Sequence, residues 1–217
     1  MGRAAIPAVF LAFAALVLYV FITVSSPVWN QVRFFSVDVP TVSAGNYRTN
    51  GGTIRYGFLG WCFDDVCSEE SLGYRLEEPV NRITGVNISI NNEALEHITY
   101  ALILNPVTGL LSLLVSLFGC LAIRGGRITA LFLTIFEGIT AVVGCVALAL
   151  NVALFKVFEN ELQDKLEETG ITVNTSLDNA EWLSVAAAGC LIIGTILSLL
   201  GICFGRSSSK HRDISYV

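Results

Sequence analysis

Residues 128–155 read ITALFLTIFEGITAVVGCVALALNVALF, an apolar run that carries a single ionisable acid, Glu137. A helix rises about 1.5 Å per residue and a bilayer has about 30 Å of hydrocarbon, so about 20 such residues span it. Three further blocks of spanning length lie at residues 4–24, 98–123 and 183–205. Of the 217 residues, 53% are hydrophobic and 14% charged, whereas a soluble domain has about 25% charged residues. The sequence therefore predicts an all-α transmembrane bundle of four helices.

The first block could also be a secretory signal peptide, because Met1-Gly2-Arg3 is a basic start. Signal cores have about 7–15 apolar residues, and this block is longer than that. Pro27 directly follows the only acceptable cleavage site, Val24-Ser25-Ser26. We therefore expect the block to be retained as a membrane helix.

The charges of the connecting segments predict the orientation of the chain. Arg3, the Arg124–Arg127 turn and the tail 206–217 hold six basic residues and one acid. Connections 25–97 and 156–182 hold seven basic and sixteen acidic residues. Lys and Arg near the helix ends favour the cytoplasmic side. Both termini are therefore expected in the cytoplasm, and the two acidic connections are expected to be outer loops.

Sequons and cysteines agree with this orientation. Asn87 and Asn174 each begin a glycosylation sequon, and one lies in each predicted outer loop. Four of the six cysteines lie in the apolar blocks, so Cys62 and Cys67 are the only pair in the outer loops. Because the outer compartment is oxidising, the sequence predicts a Cys62–Cys67 disulfide.

The first outer loop is too long to be a bare connection. Val32 to Val39, Thr53 to Phe58 and Ile83 to Ile90 are rich in β-forming residues and are separated by Gly, Asn and Pro. This pattern predicts a small antiparallel β-sheet.

The ends of the second and third blocks carry helix signals of their own. Residues 157–169 are rich in helix formers, with Phe158, Leu162 and Leu166 spaced by four. They predict that the third membrane helix continues outward for about three turns. Asn105-Pro106 predicts a kink in the outer half of the second helix.

The most informative motif is GFLGWCFDDVC at residues 57–67. Gly57 and Gly60 lie three apart, Trp61 precedes Cys62, and Cys67 follows five residues later. This spacing indicates a tight bend tied by a short disulfide, since glycine allows close backbone approach. A stapled strand turn with no binding role explains the spacing equally well.

A four-span chain with this motif in a long first outer loop resembles the claudin-like superfamily. Within it, the chain resembles the fungal PalI pH-response regulators and the Sur-seven proteins of cortical membrane patches. Trp29 occupies the position of the upstream tryptophan of the claudin signature. Trp61 beside Cys62 and the short cysteine spacing differ from animal claudins and favour the fungal branch. The resemblance implies a plasma-membrane protein without catalysis, which contributes to eisosome-associated membrane domains or to ambient-pH signalling.

Glu137 lies about nine residues into the third block, near the middle of the bilayer. An ionisable group there costs at least about 2.5–3.5 kcal/mol, so a functional or pairing role is the first hypothesis. One interpretation is a cation or proton site. The other, which we favour because the blocks hold no second acid or base for a relay, is a protonated carboxyl bonded to a neighbouring helix. The candidate partners are Asn105, Thr108, Ser112 and Ser116.

The C-terminus ends in Ser215-Tyr216-Val217, which resembles a ligand of PDZ-type domains. His97 and His211 lie on opposite sides of the predicted membrane, and no nucleophile–base or metal-ligand spacing appears. We therefore expect no enzyme, catalytic residue, metal or cofactor.

Three functions remain open. The first is an organiser of cortical plasma-membrane domains, the second is a component of ambient-pH sensing, and the third is a calcium-influx or cell-fusion protein of the fungal mating-induced family. The expected partners are membrane lipids and other membrane or cortical scaffold proteins, with a homo-oligomer as an open alternative and no nucleic acid.

Overall fold

The computed structural model describes residues 2–29, 31–41, 43–44, 47–48, 51–64, 66–71, 73–84, 102–124, 127–167 and 172–205. Within them the chain forms five helices: α1 (Gly2–Thr23), α2 (Glu77–Thr84), α3 (Leu104–Arg124), α4 (Arg127–Glu167) and α5 (Asn179–Gly205). It also forms seven strands: β1 (Phe35–Val39), β2 (Ser43–Ala44), β3 (Tyr47–Arg48), β4 (Gly52–Tyr56), β5 (Trp61–Phe63), β6 (Val66–Cys67) and β7 (Asn174–Leu177).

Four of the helices, α1, α3, α4 and α5, are long and apolar enough to cross a membrane. A small antiparallel sheet combines strands that follow α1 along the chain with strand β7, which lies between α4 and α5, and the arrangement is consistent with a claudin-like four-helix fold. The predicted fold class is confirmed.

The chain divides into two compact units. The bundle unit comprises Met1–Val20, Leu104–Val146 and Ser184–Val217, and the sheet unit comprises Phe21–Ile103 and Ala147–Leu183. Each unit is held together in its own way.

Glycines set the helix spacing in the bundle unit. A Cβ at Gly119 of α3 would overlap the side chain of Val9 of α1. A Cβ at Gly109 would lie 3.2 Å from the Cβ of Tyr19, and one at Gly144 of α4 would lie 2.8 Å from the Tyr19 hydroxyl. Small residues at such crossings allow helix backbones to approach closely within a membrane.

The residue at which α3 begins contradicts the predicted kink in this helix. The helix begins at Leu104, so Pro106 lies in its first turn rather than in its interior. A proline is tolerated there because the N–H it lacks has no intrahelical acceptor. The predicted kink at Asn105-Pro106 is therefore wrong.

The sheet unit contains a five-stranded antiparallel sheet in the order β6-β5-β4-β1-β7, and β2 pairs with β3 in a separate hairpin. Val37 at the centre of β1 lies opposite Ile54 of β4 and Thr175 of β7. Val37 and Ile54 are fully buried. Strand β7 comes from the second predicted outer loop and was not predicted, because its sequence, NTSL, shows no apolar alternation.

The predicted strand from Ile83 to Ile90 is wrong at its start. Ile83 and Thr84 end helix α2, and residues 85–90 lie outside the described residues. The helix has Glu77 and Glu78 in its first turn, where the helix dipole favours acids. Arg82 pairs with Glu78 one turn earlier, at 3.7 Å. These local signals outweigh the β-forming residues that follow.

Helix α4 continues without a break to Glu167, so its predicted extension is confirmed. The three residues of the predicted stripe, Phe158, Leu162 and Leu166, are fully buried. The Phe158 ring lies 5.5 Å from the rings of Phe35 and Tyr56, which stack on each other at 4.5 Å. This aromatic cluster is the core of the sheet unit.

Candidate functional site

The glycine motif forms the connection between β4 and β5. The Gly57 N–H donates to the Gly60 carbonyl at 2.8 Å, and Tyr56 pairs with Trp61 just before them along the ladder. Phe58 and Leu59 therefore form a two-residue hairpin loop. The Leu59 carbonyl accepts a hydrogen bond from the Ser71 N–H at 2.8 Å, which fixes the tip of the hairpin.

Both glycines are required by close neighbours, to different degrees. A Cβ at Gly57 would overlap the backbone carbonyl of Ser26, in the segment that follows α1. A Cβ at Gly60 would overlap only a side-chain atom, the Ser68 hydroxyl oxygen, which accepts a hydrogen bond from the Trp61 N–H at 3.1 Å. The Phe58 N–H donates to the Ser25 hydroxyl at 2.9 Å. The hairpin is thus bound edge-on to the Ser25-Ser26 segment, and Gly57 is what allows that approach.

The predicted disulfide is present. Cys62 of β5 lies directly opposite Cys67 of β6, and the two sulfurs are bonded. Asp64 turns the chain between the strands with a φ of 49°, in the left-handed region that Asp enters more readily than most residues. The Ser26 hydroxyl donates to the buried sulfur of Cys62 at 3.5 Å. The disulfide is therefore tied to the same segment as the glycine hairpin.

Trp61 is buried, and the Arg82 guanidinium of α2 lies 5.9 Å from the centre of its ring. This cation–π contact joins α2 to the motif. Trp29, the other tryptophan singled out by the sequence, is partly exposed and lies 5.3 Å from the Phe21 ring.

A family model described as the SUR7/PalI family matches residues 4–206. The chain belongs to the SUR7/PalI family. The match includes all four apolar helices and the motif at residues 57–67, so the predicted resemblance is confirmed. Among curated proteins no significant match was found. The protein is a multi-pass membrane protein of a plasma-membrane-associated family.

Two buried tyrosines stabilise the motif of this SUR7/PalI protein through hydrogen bonds to backbone carbonyls. The Tyr74 hydroxyl donates to the Gly57 carbonyl at 2.7 Å, and the Tyr56 hydroxyl donates to the Leu76 carbonyl at 2.9 Å. Burial raises the pKa of both phenols well above the usual value of 10. Both therefore stay protonated and act as donors over the physiological pH range.

A small pocket adjoins the motif within the sheet unit and has room for about one water molecule. Its lining comprises Phe34, Phe35, Gly57, Tyr74, Leu102, Asn151, Leu154, Phe155, Leu177 and Glu181. Glu181 is only 5% exposed, and its Oε1 has no hydrogen-bond partner among the described residues. The Arg33–Asp178 ion pair, at 3.2 Å, fixes the start of α5 nearby. The sequence analysis missed Glu181, because an acid at a helix start is common for the helix dipole alone.

In the bundle unit, Glu137 of α4 is fully buried against α5. Its Oε2 accepts a hydrogen bond from the Ser198 hydroxyl. Its Oε1 occupies the space that a Cβ on Gly194 would need, and has no hydrogen-bond partner within the described part of the chain. The carboxyl therefore makes a hydrogen bond to a neighbouring helix, which is the interpretation that we favoured from the sequence.

The predicted partners of Glu137 on α3 are wrong. The hydroxyls of Thr108, Ser112 and Ser116 donate to carbonyls four residues earlier in their own helix, at 2.6, 2.9 and 2.8 Å. Such bonds satisfy a hydroxyl within a single helix. The small residue opposite Glu137, Gly194 of α5, was the signal in the sequence that could have identified the right helix.

The remaining predicted sites are only partly described. Asn174 is exposed in β7, and Ser176, the hydroxyl residue of its sequon, lies 3.0 Å from the Ser36 hydroxyl of β1. Asn87, Ser215 and Val217 lie outside the described residues. Glycosylation and PDZ-type binding stay predictions.

Proposed function

We propose that the protein is a non-enzymatic plasma-membrane protein that organises cortical membrane domains of the eisosome-associated type. Membership of the SUR7/PalI family supports a membrane protein with a structural or signalling role. The observation that carries the organiser role is the packing of the membrane-spanning acid inside the bundle unit. Among its described residues, Glu137 is the single carboxyl, and it is sealed between α4 and α5 by Ser198 and Gly194.

Because this acid is engaged between two helices, we assign function to the outer surface of the bundle unit. Large apolar side chains are exposed along all its long helices. Examples are Phe10, Phe13, Leu110, Leu117, Leu131, Ile139, Val142, Ile193 and Ile196. In a soluble protein such a surface marks an interaction site, and here it faces lipid and neighbouring membrane proteins. An organiser acts through this kind of lateral contact, with membrane lipids, cortical scaffold proteins or further copies of itself as partners.

Live imaging of a C-terminally tagged copy in fungal cells tests the proposal. We expect patches at the cell cortex with little fluorescence recovery after bleaching. A freely diffusing four-span protein with the same tag provides the mobile control. A uniform signal that recovers as fast as the control contradicts the organiser role, and a change in calcium uptake upon deletion would then support the mating-induced alternative.

One observation favours ambient-pH sensing as a second candidate. Glu181 is buried, and its Oε1 has no hydrogen-bond partner in the part of the chain that the structure describes. It lies in a pocket of the sheet unit that Gly57 of the family motif also lines. Tyr74 is the other titratable side chain in that lining, and it is engaged with the Gly57 carbonyl. A Glu181→Gln variant keeps the size of the side chain and removes its titration. Loss of growth at alkaline pH in this variant, with normal cortical patches, would favour sensing over organisation.

The proposed orientation places both termini in the cytoplasm. Glycosidase treatment should lower the mass of the wild type but not of an Asn174→Gln/Asn87→Gln variant. A glycan on a sequon engineered into the Arg124–Arg127 turn would contradict the orientation.

A further inference from the structure

An apolar groove runs along the bundle unit between α3 and α4. Its lining comprises Phe118, Leu121, Thr129, Phe132 and Phe136, and its volume is about 370 Å³. The Phe118 and Phe136 rings stack at 5.3 Å, so α3 and α4 build one continuous wall. Apart from the Thr129 hydroxyl, the lining offers hydrocarbon and aromatic faces, which suit an acyl chain.

The depth of the groove also fits an acyl chain. Leu121 lies three residues before Arg124 and Phe136 lies nine residues after Arg127, which along a helix are about 4–5 Å and about 13–14 Å. One leaflet has about 15 Å of hydrocarbon. The groove therefore extends from just below one membrane edge almost to the bilayer midplane.

Positive charge marks the membrane edge at which the groove begins. Helix α3 ends at Arg124 and α4 begins at Arg127, so two arginines and a helix N-terminus lie at this edge. A helix N-terminus carries partial positive charge, and basic residues beside a membrane attract anionic lipids. We propose that the groove binds an acyl chain of an anionic phospholipid whose headgroup lies where α3 ends at Arg124 and α4 begins at Arg127.

This site does not depend on the organiser role, because it can be measured in vesicles without any cortical patch. A zwitterionic lipid has no net charge to pair with the arginines. It should therefore occupy the groove only in proportion to its share of the surrounding bilayer. A second copy of the chain would cover Phe118 and Phe136 and exclude lipid altogether. The three occupants therefore differ in a measurable way.

The test uses tryptophan quenching by brominated lipids in the full-length protein. A Phe132→Trp variant reports on the groove, and a Leu131→Trp variant is its matched control. Both parent side chains are 51% exposed and adjacent on α4, but only Phe132 lines the groove. Each variant is reconstituted in mixtures in which either phosphatidylserine or phosphatidylcholine is brominated, and the wild-type signal from Trp29, Trp61 and Trp182 is subtracted.

We expect the Phe132→Trp variant to prefer phosphatidylserine by about fivefold, which is about the effect of one basic residue near an anionic surface. The Leu131→Trp variant should show a ratio near one. Adding Arg124→Gln and Arg127→Gln to Phe132→Trp should abolish the preference, whereas the two lysine replacements should keep it. Equal quenching by both lipids at position 132 overturns the proposal, and so does protection from both, which would indicate a second copy of the chain.

Discussion

The sheet unit and the bundle unit are packed around different kinds of residue. In the sheet unit, large aromatic side chains such as Phe35, Tyr56 and Phe158 are buried together. In the bundle unit, the closest approaches occur at glycines such as Gly119 and Gly194. In water, burial of apolar area drives packing, whereas lipid tails are as apolar as the side chains, so close backbone approach matters more. The same substitution should therefore have different consequences in the two units.

A phenylalanine-to-alanine pair gives the largest expected contrast. Phe158→Ala empties the centre of the aromatic cluster and should cost about 3–5 kcal/mol, the usual range for a buried phenylalanine. For a chain of this size the midpoint of thermal unfolding in detergent should fall by about 10 °C. Phe132→Ala removes a ring that is half exposed on the bundle, and its midpoint should move by no more than about 2 °C. Equal shifts in the two variants would show that the units do not differ in this way.

Substitution of the two motif glycines compares a clash with the backbone, at Gly57, and a clash with a side chain, at Gly60. Gly57→Ala places a Cβ onto the Ser26 carbonyl, and overpacking of this kind costs about 1–3 kcal/mol or more. We expect most of this variant to be retained inside the cell, as measured by surface biotinylation. Gly60→Ala is the matched control, because its obstacle is the Ser68 hydroxyl. Adding Ser68→Ala removes the obstacle at position 60 together with the acceptor of the Trp61 N–H, so it should restore Gly60→Ala in part and leave Gly57→Ala unchanged. Rescue of both would contradict the assigned clash.

The two units also differ in how far the sequence predicted them. The spans of the bundle follow from the length of apolar blocks, since a bilayer imposes a minimum length on every helix. The outer end of α4 was predicted because Phe158, Leu162 and Leu166 repeat with the helical period. Strand β7 was not predicted, because its pairing with β1 joins segments about 140 residues apart and its four residues, three polar and one leucine, carry no periodic signal.

The candidate sites divide in the same way. The Cys62–Cys67 disulfide was predicted because these are the two cysteines on the oxidising outer side. The glycine spacing predicted a tight bend, but it did not identify the neighbour that requires glycine at position 57, since Ser26 is distant in sequence. The partner of Glu137 was assigned to the wrong helix, because α3 and α5 both carry hydroxyls and the sequence does not say which helix faces α4. Glu181 gave no signal at all, because burial of one carboxyl is a tertiary property.

A smaller effect is expected at the tyrosine that braces the motif. Tyr74→Phe removes the hydrogen bond to the Gly57 carbonyl and should cost about 1 kcal/mol. Because burial raises the pKa of Tyr74, the stability it contributes is complete below pH 10 and is lost as the pH rises through its higher folded value. The wild type should therefore lose more stability than the variant between about pH 10 and pH 12. Parallel loss in both, followed by thermal unfolding, would show that Tyr74 is not the titrating group.

The smallest effect is expected within the bundle unit, at the buried carboxyl of Glu137. Hydrogen bonds between membrane helices contribute about 0.6 kcal/mol on average, so Ser198→Ala should lower the midpoint of unfolding by only about 1–3 °C. Glu137→Gln keeps an acceptor for Ser198 and should fold, reach the membrane and form patches like the wild type. Glu137→Leu offers no acceptor and should behave like Ser198→Ala in stability. If Glu137→Gln instead abolishes localisation or patch formation while folding normally, the ionisable carboxyl has a function of its own, and its contact with α5 is not merely structural.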